Sequence, residues 1–359
     1  MAVFDSLHLQ HFRSYNEHEV VFGSGVNIIV GPNGSGKTNL LEALFVLASG
    51  SSFRGHDRDL LQRGQEWFRL DGIYGEQRRS MTLKIVGDTP EKQFTLDGAK
   101  RARLTHQFRV PVVLFEPDHL RLLRESPSKR RDYLDTLLTT LQPDYAWLKH
   151  QFERVLVQRN AVLKRRIPFA QLEDQLFAWD VKFAELSQHI VARRKALIGL
   201  LQQDAAGIYS AIARRPHTIA IEYQSSVTGD NYRAALLRQL SERVTRDIER
   251  GFTGVGPQRD DFAVVLNGAQ AAVAASRGEM RSLLLALKII ELRLVAEHQD
   301  ATPLLLLDDV FSELDSARRQ ALAELAKSYQ TLITTTDADA ITGHFKDGYN
   351  IIRTEQAAS

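Results

Sequence analysis

Three short runs carry residues whose types and spacing could do chemistry. The first, Gly31-Pro32-Asn33-Gly34-Ser35-Gly36-Lys37-Thr38, satisfies G-x-x-x-x-G-K-[ST]. In such a loop, glycines let backbone N–H groups turn inward onto phosphate oxygens. The lysine neutralises β/γ charge and the hydroxyl ligates Mg²⁺. An apolar run, Val26–Val30, precedes the loop, and helical spacing from Thr38 to Leu47 follows it. That strand–loop–helix setting is what phosphate binding needs, and the helix start adds the positive end of its dipole. The expected ligand is ATP with Mg²⁺.

The second run is Leu304-Leu305-Leu306-Leu307-Asp308-Asp309, an apolar strand ending in two carboxylates. A strand through a sheet core delivers its last residues to the carboxyl edge, where phosphates sit in α/β folds. Asp308 is expected to hold Mg²⁺, and Asp309 to orient or deprotonate the attacking water. The third run, Ser276-Arg277-Gly278-Glu279, opens a regular helix. By itself S-x-x-E is a capping box that closes a helix start. A helix N-terminus with Ser and Gly also offers donors to a γ-phosphate, and the two roles are compatible.

The elements that must position these runs alternate in character. Residues 3–115 read mainly as strands separated by Gly and Asp turns. From about Pro117 to Gly251 apolar residues recur at three- and four-residue spacing, interrupted by one strand around 217–223. After Gly251 strands and helices alternate again. The expected organisation is therefore a discontinuous α/β head, residues 1–116 plus 252–359, with a mainly helical lobe, 117–251, inserted in it. Gly199 and Gly207 fall within a long helical pattern that keeps no strict heptad, so long coiled-coil arms are not expected.

Composition sets the outer bounds. The 359 residues are 43% hydrophobic and 25% charged, too many for one comfortable core. With no cysteine, disulfides and thiolate metal sites are impossible. The N-terminal residues lack the pattern of a signal peptide, and the most apolar stretch, residues 283–295, is broken by Lys288, Glu291 and Arg293. A cytoplasmic protein without membrane spans is expected. The formal charge is +2, yet residues 121–215 hold 17 Lys+Arg against 10 Asp+Glu. A basic middle in an acidic frame suggests a phosphate-tracking surface. Its candidate DNA contacts are Lys164-Arg165-Arg166 and Arg193-Arg194-Lys195, with Lys129-Arg130-Arg131 and Arg214-Arg215 beside them. Arg130 and Arg131, at a helix start, could equally contact nucleotide or brace the lobe. Helix-turn-helix, zinc and RNP-type signatures are missing from the sequence, so backbone recognition without base readout is expected.

The order of these motifs resembles the ABC-type ATPases: P-loop, long insertion, S-x-G-[QE] helix start, then apolar-Asp-acid followed by Ser312-Glu313-Leu314-Asp315. More narrowly, the chain is similar to the RecF family of the SMC-like DNA-repair branch. The runs "LHLQHFRSYNEHEVVFGSGVNIIVGPNGSGKTNLLEAL", "LFEPDHLRLLRESPSKRRDYLD", "GPQRDDF" and "DDVFSELD" carry that likeness across nearly the whole chain. The resemblance implies an ABC-ATPase-type head, a P-loop core with an antiparallel β subdomain, carrying the helical lobe. It implies a homodimer closed by ATP, in which Ser276, Arg277, Gly278 and Glu279 contact nucleotide on the partner's P-loop. It further implies slow ATP hydrolysis, an ATP-gated clamp on DNA, and work in recombinational repair, replication restart and the SOS response with RecR and RecO. Two departures from the wider ABC pattern favour slow turnover: Asp309 stands where most use Glu, and Arg277 and Glu279 replace the transporters' Gly and Gln. Thr334-Thr335-Thr336-Asp337 occupies the place of a γ-phosphate-sensing histidine, and Phe115-Glu116-Pro117-Asp118 that of the Q-loop. A transporter ATPase subunit would predict activity independent of DNA. A scaffold with idle ATP would release no phosphate.

Overall fold

The computed structural model describes residues 2–165, 167–299, 301–345 and 348–354. The chain divides into two compact units, residues 1–120 with 288–359 and residues 121–287.

The first unit holds two sheets. One is parallel, five-stranded and ordered Tyr349–Arg353, Val26–Val30, Thr331–Thr335, Leu304–Asp308, Val112–Phe115. Val26–Val30, Leu304–Asp308 and Val112–Phe115 are near-continuous Val, Ile and Leu, as strands covered on both faces are. The other is antiparallel and six-stranded, starting Tyr15–Val21, Phe4–Phe12, Trp67–Tyr74 and continuing through Gln77–Val86, Thr89–Leu96 and Ala99–Arg101. Along it apolar and polar residues alternate, so one face is buried and one meets solvent. The buried face (Leu7, Leu9, Phe68, Leu70, Met81, Leu83) shares a core with the helix Lys37–Ser49 and with Leu304, Leu306 and Leu332 of the parallel sheet. That helix is buried almost all round, which fixes its N-terminal end against the strands that feed it.

The second unit is mainly helical. The helices Tyr145–Leu163 and Phe169–Ala213 run antiparallel, since Arg159 bonds Asp180 while Arg193 bonds Asp144. The second of them is unbroken over 45 residues, about 68 Å at helical rise, although it contains Gly199 and Gly207. Both glycines lie on exposed turns with open space around them, where the cost is their propensity alone, about 1 kcal/mol each.

The boundary expected after Gly251 does not fall there. Strand Asp261–Leu266 pairs antiparallel with Ile219–Gln224, in register from Asp261↔Gln224 to Leu266↔Ile219. Residues 261–266 are therefore joined to the inserted part through a β-ladder, a long-range pairing that local periodicity does not reveal. The division falls inside the helix Arg277–His298.

Candidate nucleotide site

Strand Val26–Val30 ends where the loop Gly31–Thr38 begins, and the helix Lys37–Ser49 follows at once. Gly36, the N-cap, has φ 92°, a left-handed conformation that glycine adopts without strain. A Cβ on Gly31 would sit 2.3 Å from Thr354 Oγ1 and 2.5 Å from Ser35 Oγ, so that position is closed to any side chain. Ser35 Oγ and Thr354 Oγ1 lie 2.7 Å apart and join the loop to the last strand. Tyr15 donates its hydroxyl to Gly36 O at 3.1 Å. Lys37 folds back over the loop, its Nζ donating to Gly31 O at 2.8 Å and Pro32 O at 2.9 Å. Burial pulls the Lys37 ammonium below its usual pKa, with Asp309 and Asp308 opposing that shift.

The parallel register brings the second run to the same edge. Asp308 lies opposite Thr334, and Thr334 opposite Ile29. Three strand ends thus meet beside the P-loop. Thr38 donates its hydroxyl to Asp308 Oδ1 at 2.9 Å. Thr334 donates to the same oxygen at 2.7 Å and accepts the N–H of Asp309 at 2.8 Å. Asp309 stands at φ 48°, which re-aims the chain after the strand. Burial raises its pKa above the usual carboxylate range; Ser312 lowers it, Asp308 raises it further and Lys37 lowers it. Ser312 also donates to Asp309 O at 2.7 Å. The Thr38 hydroxyl and the Asp308 carboxylate are hard oxygen donors side by side, a set that suits Mg²⁺ completed by phosphate oxygens and water.

Beneath the loop lies a cluster that the sequence reading did not single out. Glu42 is fully buried on the helix Lys37–Ser49. Arg13 grips it with two bonds of 2.8 Å, Arg54 with one of 2.6 Å, and Ser52 with another of 2.6 Å. Burial opposes its ionisation, but these donors win and hold its pKa below the ordinary value. Asn39 ties Arg54 to Ser14 at 2.7 and 2.9 Å. The available signal was a carboxylate amid the apolar residues of a helix that must be buried; such a group needs cationic partners.

The remaining candidates lie in the second unit. Ser276 and Glu279 form the reciprocal capping box, Ser276 N donating to Glu279 Oε2 at 2.9 Å and Glu279 N to Ser276 Oγ at 3.2 Å. Ser276 and Arg277 remain exposed at that helix start. The structure overturns part of the basic surface. Arg194 is 4% exposed, forms two 2.9 Å bonds to Asp135, and donates to Pro257 O at 2.8 Å. It is a core ion pair and cannot track a phosphate backbone. Arg193 is engaged by Asp144 at 3.0 and 2.6 Å and by Gln142. Arg130 grips Asp261 with two 2.7 Å bonds and Arg131 donates to Asp260 O at 2.9 Å, so both brace their own unit. Lys164, Arg165 and Lys195 are exposed, with Arg165 bonded to Gln175 at 2.6 Å. Arg166 lies outside the described residues. Helical spacing marks a face, not whether a particular arginine on it meets solvent or a buried aspartate.

A cavity of about 730 Å³ on the antiparallel sheet, lined among others by Trp67, Arg69, Lys84 and Lys100, includes none of the motif residues. Among the described residues no helix is long and apolar enough to cross a membrane.

Comparison with known proteins agrees with this geometry. The family described as AAA domain matches residues 6–206. The DNA replication and repair protein RecF of Streptococcus thermophilus is 35% identical over 345 residues, covering 93% of this chain and 92% of that protein. The RecF of Halalkalibacterium halodurans is 32% identical over 363 residues, covering 99% and 98%. A solved structure of the recombination mediator protein RecF with ATP, in the RecFOR pathway, superposes with a TM-score of 0.83 at 30% identity, covering 94% and 92%. An Smc head domain from Pyrococcus furiosus, 14% identical with a TM-score of 0.54, covers all of this chain and 95% of that one, and shares the fold alone. The P-loop, the paired aspartates at the adjoining strand end and this full-length likeness lead to one conclusion: the chain belongs to the RecF family of DNA replication and repair proteins, on the ABC-type head fold that it shares with SMC ATPases.

Proposed function

We propose that the chain is an ATP-gated dimeric DNA clamp that hydrolyses ATP slowly to reset itself. The observation that carries the reading is the bond from Thr38 to Asp308 at the mouth of the P-loop, with Asp309 next in line. ATP would lie along Gly31, Pro32, Asn33, Gly34, Ser35 and Gly36, where the backbone N–H groups of residues other than Pro32, which has none, receive its phosphates, with Lys37 turning from its loop carbonyls to the β/γ oxygens. Thr38 and Asp308 would hold Mg²⁺, which offsets phosphate charge when bound. Asp309, whose pKa burial raises, is one methylene shorter than the glutamate at this place in most ABC ATPases, so it reaches less far towards the attacking water. Slow turnover follows, with DNA as the stimulus.

In this reading Ser276, Arg277, Gly278 and Glu279 meet nucleotide on a second copy's P-loop. Their exposed helix start, already capped through Ser276 and Glu279, leaves Arg277 outward for that contact. DNA is held through its backbone by exposed cations such as Lys164, Arg165 and Lys195, with single strands or junctions as the target and no base readout. The reading extends to cytoplasmic work beside RecR and RecO, assisting recombinase loading at single-strand gaps in repair, replication restart and the SOS response; the solved relative named for the RecFOR pathway supports the pathway alone. Steady-state phosphate release with and without gapped DNA tests the enzyme half of this reading. DNA-stimulated release is expected, and release indifferent to DNA would point to a transporter-type ATPase instead.

A further inference from the structure

We propose that Thr334 is a positioning residue for both aspartates of the site. It is the penultimate residue of the strand Thr331–Thr335, is 1% exposed, and its strand lies between the one that feeds the P-loop and the one that carries Asp308. Its hydroxyl has one proton and gives it to Asp308 Oδ1 at 2.7 Å. Thr334 Oγ1 in turn accepts the N–H of Asp309 at 2.8 Å. Thr38 also donates to Asp308 Oδ1, at 2.9 Å, so one carboxylate oxygen is held by two hydroxyls, one at a helix start and one near a strand end. A carboxylate held by two convergent donors keeps one rotamer.

The second bond does separate work. Asp309 is a non-glycine residue at φ 48°, a conformation that needs support from its surroundings. Its part-buried amide has left the ladder at that bend and is satisfied by the Thr334 side chain. A valine would fill the same volume and offer neither bond, whereas a serine would offer both. The threonine thus acts one layer behind the groups proposed to touch Mg²⁺ and water, which outer-layer partners of metal ligands commonly do. Satisfaction of a buried strand-end hydroxyl alone would require just one of these bonds. Two bonds, to consecutive aspartates, point to positioning.

The inference rests on the ATP·Mg²⁺ reading of the site, and its test separates the two. Thr334→Val and Thr334→Ser are compared with wild type in Mg²⁺ titrations of a fluorescent ATP analogue, and in amide hydrogen exchange across residues 304–314 without nucleotide. The valine variant is expected to raise the Mg²⁺ concentration at half-maximal binding by about tenfold or more, with nucleotide affinity in EDTA unchanged. Its Asp309 amide should exchange roughly tenfold faster, through easier local opening. The serine variant restores both. Should the valine variant fail to fold, Thr334→Ala removes the same hydroxyl without crowding and is read in its place. A wild-type Mg²⁺ midpoint with wild-type exchange in the hydroxyl-free variant overturns the proposal. Loss of nucleotide binding by the wild type would instead overturn the ATP reading, while exchange at Asp309 would still decide the role of Thr334.

Discussion

Thr38 and Asp308 are separated by 270 positions in the chain, yet a 2.9 Å hydrogen bond joins them. The parallel register of three strands creates that contact, and every nucleotide-dependent property proposed here passes through it. Thr38→Ala and Asp308→Asn should each weaken Mg²⁺-dependent nucleotide binding by about 10- to 100-fold. Binding measured in EDTA should change little. Equal losses with and without Mg²⁺ would show damage to the loop, not to a metal site.

Lys37 separates charge from geometry. The residue is 8% exposed, and its ammonium already spans Gly31 O and Pro32 O. Lys37→Arg keeps the charge on a larger, planar group and should retain much of the nucleotide binding while blocking turnover. Lys37→Met removes the charge and should abolish nucleotide-driven dimerisation. Light scattering with ATP reads both variants; unchanged dimerisation in the methionine variant would sink the switch.

Asp309 is the proposed base, and Asp309→Asn tests it. Phosphate release should fall by roughly 10²- to 10⁴-fold, with ATP binding and dimerisation preserved. A variant that turns over at the wild-type rate would make the idle-ATP scaffold the better description.

Most of the site was legible because its chemistry is local. The P-loop and the two aspartates declare themselves by residue type and by the apolar strand before each. The site's support was not legible, because it depends on pairing between distant elements. Thr334 matters through register with Ile29 and Asp308, and Arg13 and Arg54 matter through a buried Glu42. The lobe boundary was misplaced for the same reason: residues 261–266 pair with 219–224 across nearly forty intervening positions. The basic clusters show the opposite failure, where a true local pattern hid Arg194 in the core.

That buried pair yields a stability prediction. Burial opposes the charge on Asp135, but Arg194, Lys149 and Tyr145 overcome it and hold its pKa below the usual carboxylate value. Arg194→Leu should cost about 3–5 kcal/mol at pH 7, since it leaves a buried carboxylate without its main partner. A folded pKa below the unfolded one contributes stability that is present above about pH 4 and lost as pH falls through the folded value. The gap between wild type and variant should therefore shrink in urea unfolding at pH 3 compared with pH 7. A gap that is the same at both values would contradict the ion-pair account. The folded variant should bind DNA as wild type does.

The exposed cations make the complementary case. Lys164→Glu, Arg165→Glu and Lys195→Glu together should flatten the salt dependence of DNA binding by about one unit of slope per lost phosphate contact. An unchanged slope would move the DNA surface elsewhere on the molecule.

The central claim is that ATP closes two copies of this chain and that closure governs DNA. Analytical sedimentation with and without ATP, each with and without gapped DNA, measures both at once. The account predicts a monomer without nucleotide, a dimer with ATP, and DNA that co-sediments with the ATP-bound dimer. A sedimentation coefficient that ignores ATP, or DNA bound equally in its absence, would contradict it.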